Sequence, residues 1–258
     1  MKKFSLLVVA SLIVFSCGES KQEALKNTDL LGDNLLGKVE QTTETTYKTD
    51  STGKMGAQDS CCVIQQKYDE KGYGTVYFSN NKAGTEKEET IITHNDKGLF
   101  SSQKTTKNGK PVSMISVEFD NGKYSGAQSF DSTNKMDFYY TDLTTNDYDR
   151  LTGYKQYKAD SIFKMSMTNT YDKQYLKGQS AKDSAGKETY SSTLKLDDKN
   201  NLIEITTKEV TKDATINKTT KYRYDSFDDK GNWTQRTEMD ENGKPVKIVK
   251  RTITYYKD

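Results

Sequence analysis

Apolar and polar residues alternate with a period of two along most of the chain beyond residue 38. In the run 163–171, Phe163, Met165 and Met167 lie on one face and lysine, serine and threonine on the other, and the runs 114–119 and 136–140 repeat this arrangement. Successive side chains of a β-strand point to opposite faces, so the pattern predicts half-buried strands. No apolar stripe with helical spacing is present after residue 46. The chain is therefore expected to be built from strands.

Short clusters of Asp, Asn, Lys and Gly separate the alternating runs. Such residues favour tight turns, because Asp and Asn side chains bond to nearby backbone and Gly and Asn tolerate a positive φ. Each cluster follows an aromatic or apolar residue or His94, so neighbouring strands are predicted to form antiparallel hairpins. Seven clusters carry this signature: 68–72, 94–98, 119–122, 130–134, 196–200, 227–231 and 239–243.

Both prolines occur in the same pentapeptide, Asn-Gly-Lys-Pro-Val, at residues 108–112 and 242–246. In each copy the Asn-Gly pair is expected to provide the positive φ of a tight turn. Proline has no N–H to donate, so it is expected at the opening of the next strand.

These patterns predict an all-β fold, an antiparallel meander of many hairpins in a single domain, residues 38–258. Periodicity does not distinguish a folded sandwich, a barrel and one curled sheet. Only 32% of the residues are hydrophobic, while 17 are tyrosines, which favours a shallow core. We therefore expect a strongly curved sheet or a partly closed barrel.

The N-terminus has the features of a secretory signal. Lys2 and Lys3 precede an apolar run at residues 4–15 that is too short to span a bilayer, and Ser16 and Cys17 follow it. A signal helix is predicted within residues 1–16. Residues 17–37 are predicted to be a tether, in which Leu-Leu-Gly-Asp-Asn-Leu-Leu-Gly at 30–37 indicates a short helix or docking turn.

The residues 12–17, Leu-Ile-Val-Phe-Ser-Cys, resemble the lipobox of bacterial lipoproteins. The resemblance implies cleavage before Cys17 and acylation of Cys17 with fatty acids such as palmitate. The alternative is an ordinary signal peptide cleaved near Ser16, with Cys17 free. Gly18 and Glu19 follow the cysteine, which by the same resemblance implies the outer membrane, facing either the periplasm or the cell surface.

Charge narrows the range of partners. Removing residues 1–16 removes Lys2 and Lys3 and leaves 37 basic (39 − 2) against 37 acidic side chains. A neutral chain with interleaved charges lacks the basic stripe that neutralises phosphates. Nucleic acid is therefore not an expected partner, and membrane attachment is expected through N-terminal acyl chains alone.

Few residues suggest catalysis or metal binding. His94 is the only histidine, which excludes histidine triads and His-rich zinc sites, and it stands where aromatic residues precede other turns. Cys61 and Cys62 are adjacent, and their alternatives are a strained disulfide, pairing with another chain, or two thiols. No catalytic residue, metal site or cofactor is predicted.

The recurring motif Tyr/Phe-Asp-x-x-Gly, clearest at 148–153, 224–225 and 227–233, resembles the YD repeats of Rhs-type bacterial surface proteins. Residues 36–47 are similar to the opening of secreted bacterial proteins with degenerate hairpins. The resemblance implies a β-hairpin architecture and an envelope role, often with carbohydrate binding. It carries over no catalytic residues.

The function expected from the sequence is a non-enzymatic binding or scaffold module for a glycan, an envelope protein or a small lipophilic ligand. An aromatic platform is the candidate binding surface, although the alternative for its tryptophan is a place in the core. The competing hypothesis is an envelope hydrolase that uses paired carboxylates. The platform candidates are Trp233, Tyr222, Tyr224, Tyr255 and Tyr256.

Overall fold

The computed structural model describes residues 28–81 and 83–257. Within them one short helix, α1 (Asp29–Gly32), precedes sixteen strands. The strands are β1 (Val39–Thr49), β2 (Met55–Tyr68), β3 (Gly74–Asn80), β4 (Lys87–His94), β5 (Phe100–Lys107), β6 (Lys110–Asp120), β7 (Lys123–Phe130), β8 (Met136–Thr145), β9 (Leu151–Lys158), β10 (Phe163–Asp172), β11 (Tyr175–Asp183), β12 (Glu188–Leu196), β13 (Leu202–Val210), β14 (Thr215–Phe227), β15 (Trp233–Met239) and β16 (Pro245–Tyr255).

Every strand pairs antiparallel with the next, and β1 also pairs with β16. The predicted all-β meander is confirmed, and the sheet closes completely into a barrel. The closing register places Glu44 opposite Arg251 and Thr46 opposite Val249. Among the described residues, no helix is long and apolar enough to cross a membrane.

Nine connections share one turn, in which an aspartate or asparagine accepts two backbone bonds. Asp228 Oδ1 accepts from the Lys230 N–H at 3.1 Å and the Asn232 N–H at 2.8 Å, and Gly231 between them has a φ of 89°. The positive φ explains why Gly, Asn or Asp occupies the fourth position. The accepting residues are Asp50, Asp69, Asn95, Asp131, Asn146, Asp183, Asp197, Asp228 and Asp240.

The two Asn-Gly-Lys-Pro sequences form different turns. Asn108 and Gly109 both have positive φ, 51° and 75°, as a two-residue hairpin requires, and the prediction is confirmed there. In the second copy only Gly243 has a positive φ, because Asp240 starts the longer turn one residue earlier than the Asn-Gly pair would. The side chain that accepts from the backbone therefore decides the turn, and in this copy Gly243 alone of the Asn-Gly pair provides the expected positive φ.

Gly98 is expected to be less tolerant of a side chain than Gly186, although both have a φ of 77°. A Cβ at Gly98 would lie 1.9 Å from Tyr73 Oη, whereas nothing lies within 4 Å of one at Gly186. Both alanine variants carry the backbone penalty of about 1 kcal/mol. Gly98→Ala should lose about 1–3 kcal/mol more by urea unfolding, because the Tyr73 ring, whose centroid lies 5.0 Å from that of His94 at a tilt of 31°, must shift to make room for the methyl group. Equal losses would mean that the Tyr73 ring does not contact this turn.

The barrel interior and exterior differ in composition. Thr42, Glu44 and Val249 share the inward face of β1 and β16, and most of the buried residues lie on the corresponding face of other strands. Outward positions carry many charges, and Lys195 pairs with Glu204 across β12 and β13 at 2.5 Å. The exterior is therefore polar, while the interior is a mixture of apolar, hydroxyl and charged groups.

One end of the barrel is covered by residues 28–38, which we call the cap. Thr28 O accepts from Arg150 Nη2 at 3.4 Å beside β9, and the Leu30 N–H donates to Gly72 O at 3.1 Å between β2 and β3. The cap then enters β1 at Val39. Because β9 lies across the barrel from β1, the cap crosses the mouth between them.

The cap also carries apolar side chains into the barrel. Leu30, Leu35 and Val39 are buried with Tyr68, and Ile253 and Tyr255 of β16 pack against this cluster. These contacts supply a core where the open mouth of a sixteen-stranded barrel would otherwise leave the interior exposed.

Candidate functional site

The cap places a carboxyl group inside the barrel. Asp33 Oδ2 accepts from Gln66 Nε2 at 2.8 Å and from Tyr68 Oη, both on the inner face of β2. Burial raises the pKa of Asp33 to about 7, with the charge of Asp29 acting in the same direction against the opposing Tyr68 hydrogen bond and Arg251 charge. Neutral and ionised Asp33 are therefore both populated near neutral pH.

A second buried carboxylate, Glu44, has the opposite character. Its Oε1 accepts from Arg251 Nε at 2.9 Å and Nη2 at 2.5 Å, and Arg236 Nη2 lies 4.0 Å from Oε2. Burial alone raises the pKa of Glu44, but the charges of the two arginines outweigh it and the pKa falls below its ordinary value. Glu44 is therefore ionised and fully engaged by guanidinium groups.

The pH dependence of stability is expected to change in Asp33→Asn. The folded-state pKa of Asp33 is above the unfolded value of 3.8, so its stabilising contribution is complete below about pH 4 and is lost as the pH rises through 7. A shift of about 3 units corresponds to about 4 kcal/mol, which contact with water in the cavity reduces to about 2. The variant should be more stable than the wild type at pH 8 and not at pH 4.

The matched control is Asp213→Asn, which removes the same charge from an exposed turn. Chemical unfolding of both variants and the wild type between pH 4 and 9 measures the difference. If the free energy of unfolding of Asp33→Asn depends on pH in the same way as that of the wild type, the raised pKa of Asp33 is contradicted.

Trp233 contacts both arginines. Its ring centroid is 3.5 Å from Arg251 Cζ and 4.7 Å from Arg236 Cζ, and the Tyr224 ring lies 5.9 Å away. Guanidinium groups at these distances are attracted to the electron-rich ring face. Only 4% of Trp233 is exposed, so the ring is a packed part of the interior.

A cavity of about 170 Å³ lies between the cap and this cluster. That volume is roughly a dozen times what one water molecule needs. Its lining has polar and apolar surface in similar amounts, and the apolar part includes two aromatic rings and one leucine. The lining residues are Asp33, Asn34, Asn200, Asn201, Leu202, Tyr224, Trp233, Arg236 and Arg251.

Three buried polar atoms of this lining have no hydrogen-bond partner in the protein: Asn34 Oδ1, Arg236 Nε and Arg251 Nη1. The Asn34 amide has a defined orientation, because its Nδ2 donates to two acceptors, Asn201 Oδ1 at 2.7 Å and Lys199 O at 3.4 Å. The residues that carry these atoms line the cavity, whereas the atoms themselves are buried in the packing beside it. The charged groups around the cavity are two guanidinium groups and the Asp33 carboxyl group, and its volume can hold a small polar molecule.

The structure brings only some of the predicted platform residues together. Tyr222 and Tyr224 lie on the same face of β14, and Arg236 Cζ is 5.2 Å from the Tyr222 ring centroid. With Trp233 these rings surround the arginines and do not form an exposed flat surface. The charged centre of this group of rings is a feature that the sequence patterns do not predict.

Tyr255 and Tyr256 lie apart from that cluster and hold the cap. Tyr255 Oη donates to Asp228 Oδ2 and accepts from Asn232 Nδ2 at 2.7 Å. Tyr256 Oη donates to Tyr68 O at 2.6 Å, and its N–H donates to Lys38 O at 2.9 Å. Tyr255 and Tyr256 therefore attach the cap to the end of the barrel.

His94 contacts the cap and does not simply occupy an aromatic turn position. Its Nε2 is 3.1 Å from Asp29 Oδ2, which also accepts from the Gly74 N–H at 2.6 Å.

Cys17 lies outside the described residues. Cys61 and Cys62 belong to β2 by their backbone. Among the side chains that the structure describes, which leave out those of residues 60–62, no group of three or more His, Cys, Asp or Glu is arranged to hold a metal ion.

One feature of the sequence, the use of arginine at four positions, indicates the charged centre. The alternation of apolar and polar residues does not indicate it. The chain has four arginines, Arg150, Arg223, Arg236 and Arg251, among 39 basic residues. Arginine is favoured over lysine in buried ion pairs. Arg223 is exposed, whereas Arg236 and Arg251 lie inside the barrel and Arg150 bonds the cap.

The barrel architecture is found in a solved protein. The crystal structure of a porin-like protein from Bacteroides uniformis matches with a TM-score of 0.53 at 15% identity, over 84% of this chain and 98% of that chain. A porin-like protein from Bacteroides vulgatus matches over the same shares at 11% identity with a TM-score of 0.42. The Photorhabdus luminescens Tc holotoxin pore matches at 14% identity, over 80% of this chain and 13% of that chain, with a TM-score of 0.32.

No protein-family model matches the chain, and no curated protein matches its sequence. At 15% identity the first of these similarities shows a shared fold and nothing about activity.

Proposed function

We propose that the protein is a lipid-anchored barrel of the bacterial cell envelope that binds a small polar solute in the cavity beneath its cap, without catalysing a reaction. One observation carries this proposal: a cavity of about 170 Å³ beneath the cap is lined by the largely buried side chains of Arg236 and Arg251, by Asp33 and by the rings of Tyr224 and Trp233. Sites for small molecules are commonly concave and largely preformed, with a few converging polar groups.

The anchor and the cap are close in sequence. Cys17 precedes Thr28 by 11 residues (28 − 17), a distance of at most about 40 Å in any conformation. Acylation of Cys17 would therefore keep the capped end of the barrel near the membrane. The lipobox-like residues 12–17 and the YD-like turns support an envelope location for the protein.

The charged exterior of the barrel supports the proposal that water, and not lipid, surrounds the strands. Outward charged pairs lie on several neighbouring strands, among them Lys155 with Asp142 at 2.8 Å and Lys208 with Glu188 at 3.2 Å. A membrane-spanning barrel presents an apolar band to lipid, where each lysine at mid-depth costs about 2–4 kcal/mol. The acyl chains, and not the strands, are therefore the proposed membrane attachment.

Anchoring is tested with Cys17→Ala, expressed in a Gram-negative host and fractionated. The wild type should be recovered with the outer membrane and the variant in the soluble envelope fraction. Membrane recovery of both proteins would contradict the anchor and leave the cavity proposal intact.

Solute binding is tested by ligand-observed NMR with a panel of small neutral and charged sugars and organic acids. Leu202→Trp fills the cavity from its apolar side and should abolish every positive signal. Ile216→Trp is the matched control, because Ile216 is 53% exposed on β14 and does not line the cavity. If no solute binds the wild type, or if Leu202→Trp binds equally well, the proposed function is wrong.

A hydrolase is the second candidate, and one observation favours it. Asp33 and Glu44 are both buried, and their environments move their pKa values in opposite directions, as in the acid and base of a catalytic pair. Glu44, however, does not line the cavity and its Oε1 is occupied by Arg251. Hydrolysis of aryl glycosides by the wild type, and its loss in Asp33→Asn, would replace the binding proposal.

A further inference from the structure

A second concave region lies on the outer surface of the barrel, and the proposed function does not use it. It is a groove of about 410 Å³ that crosses the outward faces of β1, β16 and β15 and reaches the end of β14. We call it the outer groove. Sites for small molecules commonly have volumes of about 300–1,000 Å³, so this groove is large enough for a ligand. Its lining includes Thr43, Thr45, Tyr47, Ser226, Gln235 and Lys250.

Strand register places four polar side chains of the outer groove in one row. Lys250 of β16 pairs with Thr45 of β1 on one side and with Gln235 of β15 on the other, and it faces outward because the next residue, Arg251, faces the interior. Gln235 pairs in turn with Ser226 of β14, where register shifts interrupt the regular ladder. Neighbouring strands lie about 4.8 Å apart, so the row is about 14 Å long. A row of this length fits a short chain of polar units better than it fits one small molecule.

The polar side chains of this row are accessible to a ligand. Lys250 is exposed, and Thr45 and Gln235 are half-buried. The Gln235 amide has a defined orientation, because its Nε2 donates to Asp225 Oδ2 at 3.5 Å and its Oε1 remains available as an acceptor. Asp225 itself is paired with Arg223 at 2.7 Å. The row therefore offers an ammonium donor, an amide acceptor and a threonine hydroxyl that can donate or accept.

The outer groove carries a positive charge that no carboxylate balances. Lys250 Nζ lies 5.9 Å from the centroid of the Tyr47 ring, and no ion pair of Lys250 is present among the described residues. In the part of the chain that the structure describes, no aspartate or glutamate lines the groove. Arg251, the other basic residue of the lining, gives its Nε and Nη2 to Glu44 inside the barrel. A negatively charged group is therefore the ligand group that Lys250 attracts.

The rest of the lining fits a sugar. Tyr47 supplies an aromatic ring, and Thr43 and Thr252 form a second register pair beside the row. Threonine side chains are branched at Cβ and adopt few rotamers, so fixing them on a ligand costs little conformational entropy. A sugar ring has an apolar C–H face and a rim of hydroxyl groups, which match an aromatic ring surrounded by hydroxyl and amide groups.

We propose that the outer groove binds an acidic saccharide chain, with a carboxylate on Lys250 Nζ, sugar hydroxyls on Thr45 Oγ1 and Gln235 Oε1, and the carbon skeleton against the Tyr47 ring. The groove opens on the outside of the sheet, whereas the cavity beneath the cap lies inside the barrel. The two proposals therefore depend on different side chains and can fail separately.

The test is isothermal titration calorimetry of the full-length chain in detergent with two trisaccharides, tri-D-galacturonate and maltotriose. Tri-D-galacturonate should bind more tightly, and its affinity should fall as salt is added, whereas that of maltotriose should not. Lys250→Gln should weaken the binding of tri-D-galacturonate about fivefold and leave that of maltotriose unchanged. Thr45→Val, which removes a hydroxyl at nearly constant volume, should weaken the binding of both about fivefold.

Two control variants separate this site from other causes. Lys104→Gln removes the same charge from the outward face of β5 and should bind tri-D-galacturonate as the wild type does. Leu202→Trp fills the cavity beneath the cap and should also leave this binding unchanged.

Four results would overturn this inference. Equal affinity for the two trisaccharides would exclude a role for the lysine charge. Equal losses in Lys250→Gln and Lys104→Gln would mean that only the total charge of the protein matters. Unchanged affinity in folded Lys250→Gln and Thr45→Val would place the ligand elsewhere. Absence of any tri-D-galacturonate binding would reject the outer groove as a saccharide site and leave the cavity proposal standing.

Discussion

Replacing Trp233 by alanine is expected to lower the free energy of unfolding by about 3–5 kcal/mol. The side chain is 4% exposed and contacts the guanidinium groups of Arg236 and Arg251, so its removal leaves a cavity and takes away two cation–π contacts. Urea denaturation measures the loss. A Trp233→Phe variant should recover part of it, because the smaller ring still presents a face to Arg251.

Phe227→Ala is the matched control. Phe227 pairs with Trp233 in the register of β14 and β15 and its ring also contacts Tyr224, but it is 43% exposed. Its loss should cost about 1 kcal/mol. If the two variants lose similar stability, Trp233 is not part of a packed interior, and its sequence-based role as an exposed stacking surface would regain support.

Replacing Asn232 by alanine is expected to cost about 3 kcal/mol, because three hydrogen bonds to the cap and β16 disappear together. Its Oδ1 accepts from the Leu36 N–H at 2.7 Å, and its Nδ2 donates to Leu36 O at 2.9 Å and to Tyr255 Oη at 2.7 Å. Asn232 is 1% exposed, so the Leu36 N–H and C=O that lose their hydrogen-bond partner gain little access to water. Each unsatisfied buried group costs about 1–3 kcal/mol.

The control for Asn232→Ala is Lys244→Ala. Lys244 occupies the same place in the turn that Asp240 starts, but at the opposite end of the barrel and exposed. It should change the stability by less than about 0.5 kcal/mol. Thermal and urea unfolding, together with proteolysis near residue 36, would show the effect on the cap. A loss as small as that of Lys244→Ala would mean that Asn232 does not hold the cap.

The turns were the most predictable part of the fold. An aspartate or asparagine that accepts two backbone N–H groups, followed by Gly, Asn or Asp at the fourth position, is a local interaction that depends on five adjacent residues. Six of the seven clusters read from the sequence form this turn, and the seventh, at Asn121-Gly122, forms a two-residue turn with both φ values positive.

Closure of the sheet was not predictable, because the pairing that closes it depends on residues at opposite ends of the chain. Glu44 and Arg251 are separated by 207 positions, and the period of two in their strands is the same in a sandwich, an open sheet or a barrel. Local patterns contain no information about which strands are neighbours after the last hairpin. Only the arginine-for-lysine choice at residue 251 distinguished this position.

The sequence indicates only part of this site. Of the candidate platform residues, Trp233 and Tyr224 line the cavity, whereas Asp33 lies in the segment 17–37, which the sequence predicts to be a tether. Its role depends on the path of the cap across the barrel mouth, where it meets Tyr68 and Gln66 of β2. That path is a tertiary feature, and no periodicity in the cap itself indicates it.

The most direct test of the capped barrel is amide hydrogen exchange of the full-length chain, measured at the cap. The N–H groups of Leu30, Leu35 and Leu36 donate to Gly72 O, Leu30 O and Asn232 Oδ1. These amides should exchange as slowly as amides of β1, since the cap and β1 form one packed unit at the mouth of the barrel. Exchange of these three amides at the rate of an unstructured peptide, with β1 still protected, would contradict the cap and the cavity beneath it.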